Sequence, residues 1–287
     1  MFTVFGATGN TGSVVASELL AKGKRVRVVV RSEAKGAEWK AKGAEVAIGD
    51  VLDPTTVTAA LAGAEGAYML VPPDAQATDL VGRGRAIVDA YVRGLTTHPV
   101  KHVAFLSSIG AQEASGTGPI VITHNAEQAL GKLAGTRFTW VRAAYFMENI
   151  LANAHPMKGD GVLPVFGGGE GYPFPMIATR DIGRIAAEAL AEGAPAANAI
   201  IELSGPKEYS FVDAATEATR LLGRKVQATP LPIEAMVPAL VGVGISENVA
   251  SLYKEMTQAF QRGLGFDGKG RAVRGKVTLG EVLAALT

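Results

Sequence analysis

Residues 2–15 read Phe2-Thr-Val-Phe-Gly6-Ala-Thr-Gly9-Asn-Thr-Gly12-Ser-Val-Val15, which predicts a strand, a tight glycine turn and the start of a helix. Gly6 permits a sharp exit from the strand, Gly9 lets backbone amides approach a pyrophosphate, and Gly12 lets the helix lie close to the strand. The unpaired N–H groups and positive dipole end of such a helix attract phosphate. The segment therefore predicts dinucleotide binding. A purely structural turn is the alternative, because 35 glycines also produce chance spacings.

The end of the second predicted strand indicates which dinucleotide is bound. An acidic residue about 20 positions beyond the glycines normally holds the ribose 2′-hydroxyl of NAD. In this chain Arg31 takes that place, within Val30-Arg31-Ser-Glu-Ala-Lys35. A guanidinium can pair with a 2′-phosphate and stack on adenine, so we expect NADP(H), with Lys35 assisting. The alternative is a solvated arginine at a strand end.

Later strand ends complete the predicted cofactor site. Asp50 either accepts a hydrogen bond from the adenine amino group or forms a turn, Leu70–Pro72 contribute backbone, and Ser107 lies where ligands of parallel sheets bind. The predicted cofactor-binding residues are Gly6, Thr8, Gly9, Asn10, Thr11, Gly12, Arg31, Lys35, Asp50, Val51, Leu70, Val71, Pro72 and Ser107.

Short apolar runs alternate with helix-like segments over the first half of the chain. The predicted strands are Phe2–Phe5, Arg25–Val30, Glu45–Ile48, Ala67–Val71, His102–Leu106 and Phe138–Val141. Such alternation predicts an α/β fold with a Rossmann-type, doubly wound parallel sheet. We expect an NADP-binding lobe over residues 1–150 and a smaller C-terminal α/β substrate lobe, partly interleaved with it, over residues 151–287.

Helix-capping signals predict several helix starts. Asp53 before Pro54 predicts an N-cap with a first-turn proline. Asp181 is expected to cap a helix that continues to Glu192. Two predicted capping boxes pair Ser210 with Asp213 and Thr278 with Glu281.

Composition narrows the classes of function. The chain has 28 Lys+Arg, 27 Asp+Glu, no Cys and 4 His. A net charge near zero without basic blocks argues against nucleic acid and anionic lipid as partners, and the missing cysteines argue against thiolate chemistry and most metal sites. We expect a cytoplasmic protein without metal, nucleic acid or membrane, acting on a small molecule; a homodimer is left open.

In order along the chain, these motifs resemble the NmrA-like family of atypical short-chain dehydrogenase/reductases. The matching pieces are Val4–Gly12, Val30–Lys35, Gly49-Asp50, Val103–Ser108, Val141–Asn149, Thr179–Gly183 and Thr278-Leu279. The resemblance implies an NADP-binding Rossmann lobe with a small lobe over a substrate cleft. The members most similar to this chain are bacterial NADPH-dependent quinone and triphenylmethane-dye reductases, whereas others are redox-sensing regulators.

The catalytic dyad of the wider superfamily is missing. Its Tyr-x-x-x-Lys pair should fall near Val121 and Asn125, which disfavours alcohol–ketone chemistry. Reducing a quinone or a cationic dye demands less, because the acceptor is already electrophilic and water can supply protons. His124 either relays a proton or has a surface or capping role.

Aromatic residues after Arg142 suggest where an acceptor stacks. We expect the substrate residues Tyr145, Phe146, Asn149 and Tyr172, the alternative being that the rings belong to the core and that Asn149 caps a helix. The sequence thus predicts an NADPH-dependent oxidoreductase that transfers hydride to a quinone-like or conjugated aromatic acceptor. A non-catalytic NADP(H) sensor acting through a protein partner is the alternative. A third hypothesis is an epimerase or dehydratase that acts on nucleotide sugars, and the missing dyad argues against it.

Overall fold

The computed structural model describes residues 1–287 and contains thirteen strands. They are β1 (Phe2–Val4), β2 (Val26–Val30), β3 (Glu45–Ile48), β4 (Gly66–Met69), β5 (His102–Ser108), β6 (Arg137–Ala143), β7 (Tyr145–Phe146), β8 (Val162–Phe166), β9 (Phe174–Ile177), β10 (Ala199–Ser204), β11 (Glu208–Tyr209), β12 (Gln227–Leu231) and β13 (Arg271–Arg274). The six strands predicted for the first half are all present, with ends that differ from the prediction by at most two residues.

Eleven α-helices connect and cover these strands. They are α1 (Asn10–Ala21), α2 (Glu33–Ala41), α3 (Pro54–Leu61), α4 (Leu80–Thr97), α5 (Ile120–Leu130), α6 (Ala154–Gly159), α7 (Thr179–Glu192), α8 (Phe211–Leu222), α9 (Met236–Gly242), α10 (Glu247–Gln261) and α11 (Leu279–Leu283), with short 3₁₀ helices at Met147–Asn153, Ile233–Ala235 and Ala284–Leu286. No helix combines the length and apolar composition that crossing a membrane requires.

The central layer is an eight-stranded sheet in the order β3-β2-β1-β4-β5-β6-β10-β13, and every neighbouring pair in it is parallel. The strand order reverses direction between β1 and β4, which in open parallel sheets opens a crevice at the carboxyl ends of those strands. The predicted Rossmann-type, doubly wound fold is confirmed.

Two apolar cores lie on opposite faces of this sheet. One packs Val15 and Leu19 of α1 and Ile182 of α7 against it. The other packs side chains of α3, α4 and α5, such as Ile87 and Tyr91. Because helices cover both faces, the strands are apolar on both sides, as in β4, which is buried throughout.

Three segments after residue 150 extend the large layer: β10 and β13 join the sheet, and α7 packs on α1. Gly183 of α7 lies so close to α1 that an added Cβ would approach Val14 Cβ to 2.5 Å. Most of the remaining C-terminal elements form a smaller unit with its own core, which includes Met147, Met176 and Leu279, whereas α10 packs on Leu80 and Ile122. The central sheet therefore draws on both halves of the chain.

The capping predictions have mixed outcomes. Asp53 caps α3, and both capping boxes are present. The prediction that Asp181 caps a helix is wrong, because α7 starts two residues earlier, after Ala178. The carboxylate of Glu148 accepts from the amide of Thr179, while Asp181 accepts from the amides of Lys276 and Val277, each at 2.7 Å.

Candidate cofactor and acceptor site

The glycine turn after β1 requires glycine for steric reasons. Gly6 has φ +67°, and an added Cβ there would lie 2.7 Å from Leu70 Cδ2. A Cβ on Gly12 would lie 2.3 Å from the carbonyl oxygen of Gly6. Since that neighbour is backbone and cannot swing aside, α1 keeps its close contact with the turn only with glycine at position 12.

The start of α1 presents unpaired amides. Gly9 is the N-cap and supplies no capping side chain, and the first backbone bond into the helix runs from Ser13 N to Gly9 O at 3.1 Å. The amides of Asn10, Thr11 and Gly12 have no hydrogen-bond partner in the protein. Three free N–H groups and the helix dipole, beside a backbone surface without side chains, fit a pyrophosphate.

Of the predicted residues at this turn, Thr11 contributes only its amide. Its side chain is buried, and its Oγ1 accepts a hydrogen bond from Tyr68 Oη at 2.8 Å. Burial raises the pKa of Tyr68 well above its ordinary value, with the hydrogen bond to Thr11 opposing the shift. Thr8 and Asn10, by contrast, are exposed.

The predicted 2′-phosphate residues are exposed and have no partner. Arg31, at the end of β2, and Lys35, on α2, take part in no ion pair or side-chain hydrogen bond. Lys35 lines a groove of about 750 Å³ between α1 and α2, together with Thr8, Ser13 and Arg180. Two cations without carboxylate partners, near the glycine turn, suit the extra phosphate of NADP(H).

The other predicted cofactor residues follow β3 and β4. Asp50 forms a turn, because its Oδ1 accepts from the amide of Leu52 at 2.9 Å; its second carboxylate oxygen is free of protein partners. Leu70 packs on Gly6, and Val71 and Pro72 lie half-buried beyond it. Both groups therefore lie at the carboxyl edge of the sheet, on either side of the glycine turn.

Ser107 lies in a buried polar network that sequence reasoning missed. Its hydroxyl donates to Glu127 Oε1 at 2.6 Å, and Glu127 forms an ion pair of 2.7 Å with Arg142. Asp267 reaches Arg142 from the other side at 3.4 Å. Burial alone would lower the pKa of Arg142, but hydrogen bonding and the charge of Glu127 outweigh it and raise the value. The hydroxyl hydrogen of Ser107 is thus engaged within the protein.

Helix α5 carries no superfamily dyad: Val121 and Asn125 are both half-buried on it. His124, one residue earlier than Asn125, places its Nδ1 2.9 Å from the carbonyl oxygen of Ala111. Because a carbonyl only accepts, Nδ1 carries the hydrogen, and Nε2 of the neutral ring is left with a lone pair. The ring holds the β5–α5 loop and keeps one nitrogen available.

The predicted substrate residues separate into two groups. Tyr145 and Asn149 are neighbours: burial raises the pKa of Tyr145 to about 12, and the nearby side chain of Asn149 opposes that shift. Asn149 lies inside the 3₁₀ helix that follows Phe146, so it caps neither that helix nor α6. Phe146 packs on the core of the large layer instead, and Tyr172 is 78% exposed and contacts no other ring.

Tyr145 also belongs to an aromatic cluster that includes a residue not predicted. Its ring meets Phe174 edge-on at 5.5 Å and Phe211 at 6.1 Å. Phe211 is the first residue of α8, and nothing in the local sequence distinguishes it from an ordinary core position. Only the chain topology brings it to Tyr145.

Comparison with known proteins gives the family. The sequence profile of the NmrA-like family matches residues 1–268. The chain belongs to the NmrA-like family. The predicted resemblance is thereby confirmed, and it covers both the large layer and most of the smaller unit.

Individual relatives match over most of their length. The NAD(P)H azoreductase of Xenophilus azovorans is 30% identical over 89% of this chain and 86% of its own. Quinone oxidoreductase 2 of Escherichia coli K12 is 26% identical over 93% and 90%. The structure of Citrobacter sp. triphenylmethane reductase complexed with NADP(H) superimposes with a TM-score of 0.81 at 21% identity, covering 100% of both chains. At that identity the superposition shows a shared fold.

Proposed function

We propose that this NmrA-like chain is an NADPH-dependent oxidoreductase that transfers hydride to a quinone-like or conjugated aromatic small molecule. The observation that carries the cofactor half is the set of unpaired polar groups around the glycine turn: three free amides at the start of α1, and Arg31 and Lys35 without anionic partners. Unpaired donors grouped in this way are what a phosphate-rich ligand requires.

The chain's own residues have distinct tasks in this proposal. The amides of Asn10–Gly12 hold the pyrophosphate, Arg31 and Lys35 neutralise the 2′-phosphate, and the free oxygen of Asp50 accepts from the adenine amino group. Leu70, Val71 and Pro72 border the cofactor, and bound NADPH supplies the hydride. Charge on the 2′-phosphate thereby determines the preference over NADH.

The acceptor half rests on the missing dyad and on the aromatic side chains. Without Tyr and Lys on α5, the chain lacks the superfamily's acid–base pair, which protonates an ordinary ketone or deprotonates an alcohol. A flat conjugated acceptor needs chiefly to be held against the nicotinamide, which the ring of Tyr145 and the amide of Asn149 can do. The relatives named azoreductase, quinone oxidoreductase and triphenylmethane reductase support this class. His124 on α5, with Nε2 free of protein partners, is our candidate for relaying a proton.

A spectrophotometric panel tests the proposal. Purified protein is mixed with NADPH and, in turn, with quinones, azo dyes and cationic triphenylmethane dyes, and the loss of NADPH absorbance is followed. We expect turnover with at least one conjugated acceptor and none with simple ketones. Oxidation of NADPH by simple ketones alone would contradict the proposed acceptor class.

The absence of the dyad also favours a second function, that of a non-catalytic NADP(H) sensor. In that case NADPH binds saturably, no acceptor in the panel is reduced, and a protein partner is retained with the loaded chain but not with the empty one. Turnover of a quinone or dye at a rate proportional to protein concentration excludes this reading.

A further inference from the structure

Helix α10 joins the loops at the carboxyl edge of the sheet. At its start, the Ser246 amide donates to Ala75 O at 2.9 Å and its hydroxyl to Ala77 O at 2.6 Å, while Asn248 Oδ1 accepts from Leu80 N at 2.9 Å. These bonds tie α10 to the loop after β4. The start of α10 is therefore fixed beside the β4–α4 loop, whose residues Val71 and Pro72 border the cofactor in the proposed function.

The other end of α10 is tied to the loop after β5 and to the smaller unit. Arg262 donates to Gly116 O at 3.3 Å, and Gln112 of the β5–α5 loop donates to Gly265 O at 2.9 Å. Gln261 donates to Gly167 O, beyond β8, at 2.7 Å. Helix α10 is therefore anchored to three segments: the loop after β4, the loop after β5 and the segment after β8. A side chain of α10 that faces these segments lies close to all of them.

Tyr253 lies near the middle of α10. Its half-buried ring packs on the small apolar cluster centred on Leu80 and Ile122, as do Val71 of the β4–α4 loop and Val121 of α5. The superfamily's tyrosine is expected near Val121. Tyr253 therefore brings a phenol from a different helix to the same cluster.

The hydroxyl of Tyr253 is available to a ligand. It forms no hydrogen bond within the protein, and burial raises the pKa of the phenol, which keeps it protonated at neutral pH. Tyr253 is also close enough to Tyr145 for the two phenols to oppose each other's ionisation, an effect on the pKa of Tyr145 that is smaller than that of burial. The free phenol belongs to a ring that packs with Val71, which ties it to the loop proposed to border the cofactor.

We propose that Tyr253 contacts the acceptor and donates a hydrogen bond to the oxygen that gains negative charge during hydride transfer. This inference rests on the proposed function. Hydride transfer from NADPH to a quinone gives NADP⁺ and the hydroquinone monoanion, and a proton from water completes the hydroquinone. A donor aimed at the developing oxyanion lowers that barrier.

Two acceptors separate this role from a structural one. A naphthoquinone develops charge on oxygen, whereas the cationic dye malachite green takes hydride on its central carbon and becomes neutral without any oxyanion. Removing the phenol should therefore slow the quinone reaction alone. The variant Tyr253→Phe keeps the packed ring, and Tyr209→Phe, in the core of the smaller unit, serves as the hydroxyl-removal control.

We expect Tyr253→Phe to lower kcat/KM for the naphthoquinone by at least about 10-fold, with malachite green changed less than about twofold. NADPH affinity and the Tyr209→Phe values for both acceptors should remain near wild type. An equal loss with both acceptors would assign Tyr253 a structural role, and no loss with either would remove it from the site; both results overturn the inference alone. Failure of the wild-type protein to reduce either acceptor overturns the proposed function, and this inference with it.

Discussion

Two arginines stand at the carboxyl ends of parallel strands in this sheet and have opposite surroundings. Arg142, at the end of β6, is 6% exposed and paired with Glu127, itself 8% exposed, with Asp267 on its other side. Arg31, just after β2, is exposed and has no anionic partner. A buried charged side chain destabilises the folded protein unless an opposite charge pairs with it. An exposed charged side chain needs no such partner for stability and can bind a charged ligand. Position at a strand end is therefore not enough to identify a binding arginine.

The largest effect should come from breaking the paired arginine. Arg142→Met leaves the buried carboxylate of Glu127 without its cation, while Asp267 keeps its pairing with Lys269, so we expect the free energy of unfolding to fall by about 3–5 kcal/mol. Urea denaturation followed by circular dichroism measures this. The double variant Glu127→Leu/Arg142→Met should recover part of the loss. A loss below about 1 kcal/mol would contradict the claim that Glu127 needs Arg142 as its partner in the folded protein.

The glycine turn should show the next largest effect, on binding. Gly12→Ala places a methyl group 2.3 Å from the Gly6 carbonyl oxygen, so α1 must move away from the turn. We expect NADPH affinity to fall by about 100-fold, which is about 2.7 kcal/mol. The matched control is Gly159→Ala at the end of α6, where an added Cβ meets nothing within 4 Å. If Gly12→Ala bound NADPH as tightly as the wild type, the glycine turn would not be part of the cofactor site.

The unpaired arginine should affect cofactor choice without affecting stability. Arg31→Ala removes the guanidinium expected to meet the 2′-phosphate, so the preference for NADPH over NADH should drop about 10-fold, or about 1.4 kcal/mol. Calorimetric titration with both cofactors checks this. Arg25→Ala, at the opposite end of the same strand region, should leave the preference unchanged. If Arg31→Ala kept the wild-type preference for NADPH over NADH, Arg31 would be a solvated residue at the end of the strand with no role in cofactor choice.

The smallest effect is expected for Lys35. Its ammonium is a single charge on a flexible, exposed stem, so Lys35→Ala should weaken NADPH binding only about threefold and NADH binding not at all. The effect should shrink further as salt is added, because exposed charges are screened. If Lys35→Ala reduced NADPH affinity more than Arg31→Ala does, Lys35 rather than Arg31 would be the main partner of the 2′-phosphate.

The features that the sequence alone predicts correctly are those encoded locally. The glycine turn, the strands around it and the capping boxes at Ser210 and Thr278 each depend on neighbouring residues, and all are present. The exposed, unpaired state of Arg31 is what the electrostatic argument requires, although its contact with a phosphate remains a prediction.

The features that the sequence did not predict depend on long-range contacts. The backbone amide of Thr179, at the start of α7, is capped by Glu148, which lies 31 residues away. The carboxylate of Asp181 accepts instead from the amides of Lys276 and Val277, which are also far away in sequence. The pairing of Ser107, on β5, with Glu127, on α5, was likewise not predicted, while a cofactor contact of Ser107 stays a prediction. Sequence periodicity does not report such pairings.

The central claim is that the turn after β1 and the cation after β2 together bind NADP(H). Isothermal titration of extensively dialysed protein with NADPH and NADH tests it most directly. We predict saturable binding of both cofactors, with NADPH at least about 10-fold tighter. Equal affinities would contradict the role of Arg31, and no saturable heat with either cofactor would contradict the claim as a whole.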